Sequence, residues 1–423
     1  MVSIAEMSKY ESYKDSGEGW IGNVPSHWDV KKLKHLFFEK KHTKNMSLNC
    51  GSISFGEVVT KNDEKVLEST KASYQEVLSG EFLINPLNLN YDLISLRIAL
   101  SQINVVVSAG YLVIKEKSVL DKGYFKYLLH RYDVAYIKLL GSGVRQTISF
   151  NHIANSMLLY PPIQEQSIIA KYLGQKTAQI DEAISIKEQQ IALLKERKQI
   201  TIQKAVTQGL NPNVPMKDSG VDWIGQIPEH WEVRKLKYCL TLTKDKVESK
   251  YSDFQYLGME SVQAGTGLLS GVDSEADGLA NIFKKGQILF GKLRPYLAKV
   301  YLAEFGGVCS TEFLVFDINS SFNREFISKL LLSDGFIKTV DASTYGSKMP
   351  RANPDFILNM LLPVPPSNEQ ANISKYISII LDFSESAEKN LIQQIKKLKE
   401  YKTSLINSAV TGKIKITPEM TEA

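Results

Sequence analysis

Two stretches of the chain carry an apolar residue every three or four positions over an unusual length. The first runs from residue 163 to about 208 without a proline, and the second runs from Ile373 to Leu405. This spacing places one apolar stripe along a helix. The pattern predicts two helices of about 45 residues, each roughly 65 Å long at about 1.5 Å per residue.

A helix of that length with one apolar stripe needs a partner along the stripe. The only comparable stripe in the chain is the other one, so we expect the two helices to pair antiparallel, like a coiled coil. This pairing would place a globular domain at each end of a rod.

The regions before the two helices show a different pattern of short apolar runs between Gly or Asn. Runs at 81–84, 105–107 and 111–114 predict strands in the first region, and runs at 286–290 and 313–316 predict them in the second. Helical spacing at 124–140 and 322–340 adds one helix to each region. The predicted fold class is therefore α/β (α+β).

The chain also repeats itself. The motif at 14–34, which contains Trp-Ile-Gly, His-Trp and Lys-Leu-Lys, recurs at 217–237 with an offset of 217 − 14 = 203. A Pro-Pro-x-x-Glu-Gln step at 161–166 recurs at 365–370. A repeat of domain length predicts two copies of one module, a pseudo-two-fold internal repeat.

The repeat divides the chain into four segments. We predict a first globular domain at 1–160, a first long helix at 161–210, a second globular domain at 211–364, and a second long helix with the C-terminal tail at 365–423.

Composition narrows the function only slightly. The net charge is +5 with a pI near 8.7, and 17 − 11 = +6 of charge lies in 31–160 against 16 − 14 = +2 in 234–364. This excess permits nucleic-acid binding. Three separated cysteines fit a reducing compartment, and no apolar run is long enough for a membrane span. We expect a cytoplasmic protein that does not bind membranes.

A search for catalytic motifs finds none of the usual nucleotide, zinc or nucleophile patterns. His27 and His230 occupy equivalent positions in the repeated motif, and we interpret them as structural residues beside tryptophan. The turn at Asn353-Pro354-Asp355-Phe356 fits a helix cap better than the base-stacking turn of a methyltransferase. Asp245 and Glu248 are typical of a solvated loop. No catalytic residue, cofactor or metal is predicted for this chain.

The repeated motif, the Pro-Pro-x-x-Glu-Gln step and the Ala-Val-Thr that ends each long helix together resemble the specificity subunit of Type I restriction-modification systems. The resemblance covers essentially the whole chain. The segment Gly291-Lys292-Leu293-Arg294-Pro295-Tyr296 is also similar to one common in target-recognition domains of that family, whereas the first half has Asn85 to Asn90 there.

The resemblance implies a non-catalytic DNA reader. It implies that each globular domain binds one half of a bipartite, asymmetric target in double-stranded DNA. The implied partners are two methyltransferase subunits and, through the complex, motor-nuclease subunits. S-adenosylmethionine, ATP and Mg²⁺ would then belong to those partners.

Candidate base-reading residues are polar side chains in loops that have no role in a core. They are, in order of preference, Arg145, Gln146, Lys348 and Arg351, then Lys292, Arg294 and Tyr296, then Asn88, Asn90 and Arg97. The competing interpretation for each is an ordinary surface charge or turn residue.

Two other functions stay open at this point. One is a stand-alone DNA methyltransferase or nuclease with an unusual site, which the missing cofactor motif disfavours. The other is a coiled-coil adaptor that binds only proteins, and a salt-dependent DNA complex would exclude it.

Overall fold

The structure is a computed structural model that describes residues 3–87, 96–137, 148–248, 254–271, 278–346 and 348–422. The chain divides into two compact units. Unit 1 comprises Met1–Ile186 and Gln394–Ala423, and unit 2 comprises Lys187–Gln393. The four segments predicted from the repeat remain a prediction about domain boundaries.

The elements of the first half are, in chain order, β1 (Tyr13–Asp15), β2 (Asn23–Pro25), β3 (Asp29–Lys32), α1 (Leu33–Leu36), β4 (Phe37–Glu39), β5 (Gly51–Ser54), β6 (Glu57–Thr60), α2 (Glu68–Lys71), β7 (Gln75–Val77), β8 (Phe82–Ile84), β9 (Ile98–Leu100), β10 (Val105–Val107), β11 (Leu112–Glu116), α3 (Lys122–Ala135), α4 (Phe150–Ile153), β12 (Met157–Tyr160) and α5 (Ile163–Gln208).

The elements of the second half are β13 (Met216–Asp218), β14 (Gln226–Pro228), β15 (Glu232–Lys235), β16 (Leu240–Leu242), β17 (Lys246–Glu248), β18 (Tyr256–Leu257), β19 (Leu279–Phe283), β20 (Ile288–Gly291), β21 (Val300–Leu302), β22 (Gly307–Ser310), β23 (Phe313–Ile318), α6 (Arg324–Leu331), α7 (Asp334–Ala342), α8 (Pro354–Asn359), β24 (Leu361–Val364) and α9 (Ser367–Val410).

The two units build the same antiparallel sheet from corresponding strands. The strand order is β4-β11-β8-β9 in unit 1 and β16-β23-β20-β21 in unit 2. The inner strands β8 and β20 are fully buried, as their uninterrupted apolar sequences require. Each unit also pairs a strand of the repeated motif with the strand before its long helix, β3 with β12 and β15 with β24. The mixed α/β fold and the internal repeat predicted from the sequence are confirmed.

Unit 2 adds a second four-stranded sheet, β17-β19-β22-β18, in which β18 and β22 run parallel. Its buried face packs in a separate small core around Phe283, Phe313 and Val315. The strand β20 contributes to both cores, because Phe290 faces one and Leu289 faces the other. The loops that follow β20 and β22 therefore begin at strands whose side chains are anchored in a buried core.

The prediction of one continuous helix at 322–340 is wrong. The spacing at 322–340 predicted a single helix, but the structure has α6 and α7 with a break at Leu332 and Ser333. Ser333 is fully buried and has an extended backbone, and its hydroxyl donates to the carbonyl oxygen of Leu330 at 2.6 Å. A buried serine that bonds its own preceding turn competes with helix continuation.

The two long helices are present as predicted, with 46 residues in α5 and 44 in α9. Within unit 1, Lys402 Nζ lies 2.6 Å from Asp181 Oδ2, and within unit 2, Lys195 Nζ lies 2.8 Å from Glu388 Oε1. Both pairs have the same residue sum, 181 + 402 = 195 + 388 = 583, as antiparallel neighbours should. The antiparallel pairing is confirmed inside each unit, and the rod with a domain at each end stays a prediction. Among the described residues, no helix combines the length and the apolar composition that a membrane span requires.

Candidate nucleic-acid interface

The repeated motif forms the same hydrogen-bonded clamp in both units. In unit 1 the buried Trp28 donates through Nε1–H to Glu165 Oε2 at 3.0 Å, and His27 Nε2 lies 2.6 Å from the other carboxylate oxygen. In unit 2, Trp231 and His230 contact Glu369 at the same two distances. Both histidines thus take part in the hydrogen bonding beside tryptophan that the structural interpretation predicts.

The glutamine of each Pro-Pro-x-x-Glu-Gln step also makes the same two hydrogen bonds in both units. Gln166 accepts the backbone N–H of Asp121, which caps α3, and donates to the carbonyl oxygen of Pro161. Gln370 makes the same two bonds to Asn323, the cap of α6, and to Pro365. The repeated residues therefore join each long helix to the globular part of its own unit.

Each clamp is completed by a glycine that follows the end of a long helix. A Cβ atom at Gly412 would lie 3.1 Å from the Trp28 ring in unit 1, and one at Gly209 would lie 3.1 Å from the Trp231 ring in unit 2. Both glycines have positive φ, 69° and 76°, which favours glycine as the residue that ends the helix. The start of one long helix and the end of the other thus meet at one tryptophan in each unit.

In unit 2 the structure brings together two predicted loops that lie about 50 residues apart in the sequence. The first follows β20 and contains Lys292, Arg294 and Tyr296, and the second spans 345–351. The backbone N–H of Arg294 donates to the carbonyl oxygen of Pro350 at 2.8 Å, and that of Ala352 donates to Lys292 at 2.9 Å. Both bonds join backbone atoms, so they do not depend on the identity of the side chains. The two loops therefore form one surface.

Arg294 has a backbone conformation that arginine rarely adopts. Its φ of 52° and ψ of 64° lie in the left-handed region, directly before Pro295. This conformation costs about 1–2 kcal/mol for a residue other than glycine. Its side chain is exposed, and Tyr296, two residues later, is 54% exposed. Strain that presents polar side chains to solvent is typical of functional loops.

Arg351 lies at the junction of the two loops and is held by Glu312. Its Nε and Nη2 atoms approach the carboxylate at 3.1 Å and 3.0 Å, and the guanidinium pKa is raised further by this hydrogen bond. Its backbone bridges to both Leu293 and Tyr345. Neither Glu312 nor Tyr345 was singled out by the sequence pattern, because their importance depends on contacts between distant segments.

The surface made by these two loops is basic and aromatic. Lys348 is exposed, and Tyr345 and Tyr296 are 64% and 54% exposed. Arginine and lysine suit phosphates and guanine edges, and exposed rings offer stacking area. We call this surface the reading surface of unit 2, defined by Lys292, Arg294, Tyr296, Tyr345, Lys348 and Arg351.

A groove with a cavity of about 390 Å³ continues from Lys292 along β17 and β19. Lys244, Lys246 and Asn281 line it together with Lys292. Three lysines in one groove can contact successive phosphates, which position a protein on DNA without reading its sequence. Lys244 and Lys246 were not among the predicted DNA-binding residues. The available signal in the sequence was that the two lysines are two positions apart.

The predicted residues of the first half have a different outcome. Asn88, Asn90, Arg145 and Gln146 lie outside the described residues and stay predictions. Arg97 is only 6% exposed, and its Nε and backbone N–H donate to the buried Asp133 at 2.9 Å and 2.7 Å. Its placement therefore favours a structural role, and the expectation of a groove contact is corrected.

The other chemical candidates are accounted for by local structure. Asn353 caps α8 by accepting the N–H of Asp355 at 2.8 Å, as expected for a helix-capping turn. Burial raises the pKa of Cys239 to about 11 and that of Cys309 to about 12, which disfavours the thiolate. In the part of the chain that the structure describes, no group of three or more His, Cys, Asp or Glu residues could hold a metal ion.

Comparison with known proteins agrees with this arrangement. Residues 228–397 match the family model of the Type I restriction modification DNA specificity domain. The chain is 24% identical over 319 residues to the EcoDI specificity subunit of Escherichia coli, covering 70% of this chain and 71% of that one. It is 23% identical over 442 residues to the MjaVIII specificity subunit of Methanocaldococcus jannaschii, covering 98% and 99%.

The chain is similar to the specificity subunits of Type I restriction-modification systems, and the resemblance seen in the sequence is confirmed.

Solved structures also share this fold. One chain from a study of type I R-M complex assembly has a TM-score of 0.67 at 13% identity, and the match covers 92% of this chain and 98% of that one. The HsdS subunit from Thermoanaerobacter tengcongensis has a TM-score of 0.53 at 12% identity with the same coverage.

Proposed function

We propose that this chain reads a bipartite, asymmetric DNA target, with one globular domain for each half-site, and docks two methyltransferase subunits. The observation that carries the proposal is the reading surface of unit 2. There, backbone hydrogen bonds join the loop that carries Lys292, Arg294 and Tyr296 to the loop that carries Lys348 and Arg351. Side chains of these types recognise phosphates and base edges.

Asymmetry of the target follows from the difference between the two copies. Both units contain the same four-stranded sheet, but the loop that follows β8 lacks counterparts of Lys292 and Arg294, the basic residues in the loop that follows β20. Base-reading side chains determine the preferred sequence. Two unlike sets of loops on one scaffold support two unlike half-sites.

We assign no catalytic role to this chain. The proposed division of labour places methyl transfer on the methyltransferase partners, which would bind S-adenosylmethionine, and cleavage on the motor-nuclease partners, which would use ATP and Mg²⁺. The copy number of two methyltransferases is supported by the duplicated clamp, because equal surfaces in two units can bind equal partners.

The decisive test is to map methylated sites in cells that contain the methyltransferase with and without this chain. We expect a discontinuous motif that depends on the chain. Purified complex should also bind DNA with an affinity that falls as salt rises. If the purified chain alone methylates DNA, it is an enzyme. If the chain binds partner proteins but its complex binds no DNA, it is an adaptor.

A second test concerns the distance between the half-sites. If the paired helices set this distance, an insertion of seven residues at matched positions of α5 and α9 adds roughly 10 Å of helix. At about 3.4 Å per base pair, the unread gap should then lengthen by about three base pairs. An unchanged gap in the methylated motif would contradict this function of the helices.

A further inference from the structure

We propose that Glu312 is a positioning residue that directs Arg351 towards a guanine in the half-site read by unit 2. This inference rests on the proposed function and adds one residue pair and one base to it. Four observations carry it: the geometry of the pair, its place between the loops, its charge, and its absence from the first half.

The first observation is the edge of the guanidinium that Glu312 occupies. Nε lies 3.1 Å from Oε2 and Nη2 lies 3.0 Å from Oε1, so the carboxylate takes the Nε–Nη2 edge. The edge formed by Nη1 and the second hydrogen of Nη2 points away from the carboxylate, because a guanidinium is planar. Two parallel N–H groups on one edge match the O6 and N7 acceptors of guanine.

The second observation is where Glu312 lies. Its backbone carbonyl oxygen accepts the N–H of Lys292 at 2.9 Å, and its own N–H donates to Ser310 Oγ at 3.2 Å. Glu312 thus contacts the first loop through its backbone and the second loop through its side chain. Firm support of this kind limits the directions that Arg351 can adopt, which is what base reading requires.

The third observation is charge. A lone arginine on a surface attracts any phosphate, whereas the carboxylate of Glu312 neutralises most of the field of Arg351 beyond the pair. Such a pair contributes little to non-specific attraction and retains its directional hydrogen bonds. The exposed Lys348 nearby is in the opposite situation, because the structure shows no carboxylate within ion-pair distance of it among the described residues.

The fourth observation comes from the internal repeat. Ser108 to Ile114 in the first half corresponds to Ser310 to Phe316, which places Gly110 at the position of Glu312. The same half also lacks the Gly-Lys-Leu-Arg-Pro-Tyr segment. The carboxylate and the basic loop that it supports are therefore present together in one copy and missing together from the other. A residue needed only for the shared scaffold would be expected in both.

The test uses the complete complex in cells and maps methylated motifs for four variants: Arg351→Ala, Glu312→Ala, Glu312→Gln and the double variant Arg351→Ala/Glu312→Ala. We expect Arg351→Ala to reduce the preference for guanine at one position by roughly 5- to 150-fold. Glu312→Ala should relax the same position by a smaller factor, and Glu312→Gln less again, because its amide oxygen still accepts one N–H from Arg351.

The double variant separates positioning from direct reading. If Glu312 acts through Arg351, the double variant has the same motif as Arg351→Ala alone. The half-site read by unit 1 serves as an internal control and should not change. Lys338→Ala, at an exposed lysine outside the reading surface, is the surface control and should leave the motif unchanged.

Three results would overturn the inference. One is a uniform loss of methylation without a change of motif in Glu312→Ala and Glu312→Gln, which would make the pair a simple structural clip. Another is relaxation at a different position, or an additive effect in the double variant, which would make Glu312 itself a base reader. The third is an unchanged motif in all variants. A wild-type chain on which no methylated motif depends would instead contradict the proposed function. Because Glu312→Gln preserves shape, it keeps the test decisive if Glu312→Ala does not fold.

Discussion

Trp28 and Trp231 make the same hydrogen bond in their two units, whereas the loops that follow β8 and β20 differ in sequence. Each tryptophan is fully buried and donates to a glutamate at 3.0 Å. By contrast, Lys292 to Tyr296 of unit 2 corresponds to an unrelated sequence in the first half. The clamp and the loops thus show the two extremes of constraint within one repeat.

The difference has a physical reason. A buried N–H must have an acceptor, and removing the acceptor costs about 1–3 kcal/mol, so the clamp tolerates little change. The side chains of a solvent-exposed loop can be substituted without leaving a cavity or an unpaired buried group. The two copies of the repeat can therefore share one scaffold and differ in the side chains of their loops.

The strongest test of this comparison is to remove the tryptophan rings. Trp28→Ala and Trp231→Ala should each lower the free energy of unfolding by about 3–5 kcal/mol, because each leaves a large cavity. Urea denaturation followed by far-UV circular dichroism measures this. The two variants should lose similar stability, and a loss in only one of them would contradict the equivalence of the clamps. Tyr238→Ala, at an exposed aromatic ring, is the control and should change little.

Breaking the buried pair of unit 1 tests the correction made for Arg97. Asp133→Ala leaves the guanidinium buried without its carboxylate and should cost about 3–5 kcal/mol of stability. The double variant Arg97→Met/Asp133→Leu should recover much of that loss, because it removes both charges. Thermal denaturation compares the variants. If Arg97→Ala preserved stability but altered the methylated motif, Arg97 would be a base reader after all.

His130 provides a pH-dependent contrast between the units. In unit 1, burial lowers the pKa of His130 to about 4. The corresponding residue of unit 2 is Leu332, which does not titrate. The two positions correspond because each lies the same distance after its helix cap, Asp121 or Asn323 (130 − 121 = 332 − 323). Between pH 6.5 and 4 the unfolded state binds the extra proton, so stability should fall as pH falls through this window, by up to about 3 kcal/mol. His130→Leu should remove this dependence. A denaturation midpoint measured from pH 7 to 4 tests both chains, and an equal slope in the two would contradict the prediction.

The two clamp glutamates differ in one contact. Glu165 also accepts the hydroxyl of Tyr10 at 2.8 Å, whereas the position that corresponds to Tyr10 in the second copy is Asn213. Glu165→Ala should therefore cost more stability than Glu369→Ala, by about 1 kcal/mol. Tyr10→Phe, which removes only the hydroxyl, should make the two losses equal. Urea midpoints of these variants measure the difference.

The smallest expected effect is at Lys348. Lys348→Ala should weaken DNA binding equally for all sequences and reduce the slope of log affinity against log salt by about 1. Fluorescence anisotropy at several salt concentrations measures this slope. A changed sequence preference would instead assign Lys348 to base reading.

What could be predicted from the sequence depended on how far apart in the chain the interacting residues lie. The long helices followed from the local spacing of apolar residues, and their antiparallel pairing followed from the presence of two matching stripes. The break before Ser333 was missed because helical spacing continues through it, and only the burial of its hydroxyl ends the helix. Arg97 was misjudged for a similar reason, because its carboxylate partner is 36 residues away.

By itself, the sequence of this protein determined the repeat, the fold class and the resemblance to specificity subunits, because these depend on the spacing of residues and on motifs of consecutive residues. Only the tertiary structure decided that Glu165 and Glu369 hold the tryptophans, that two distant loops form one basic surface, and that Glu312 holds Arg351. These contacts join residues between 39 and 138 positions apart. No local pattern specifies such a contact, because the partners meet only when sheets and helices pack and bring their ends together.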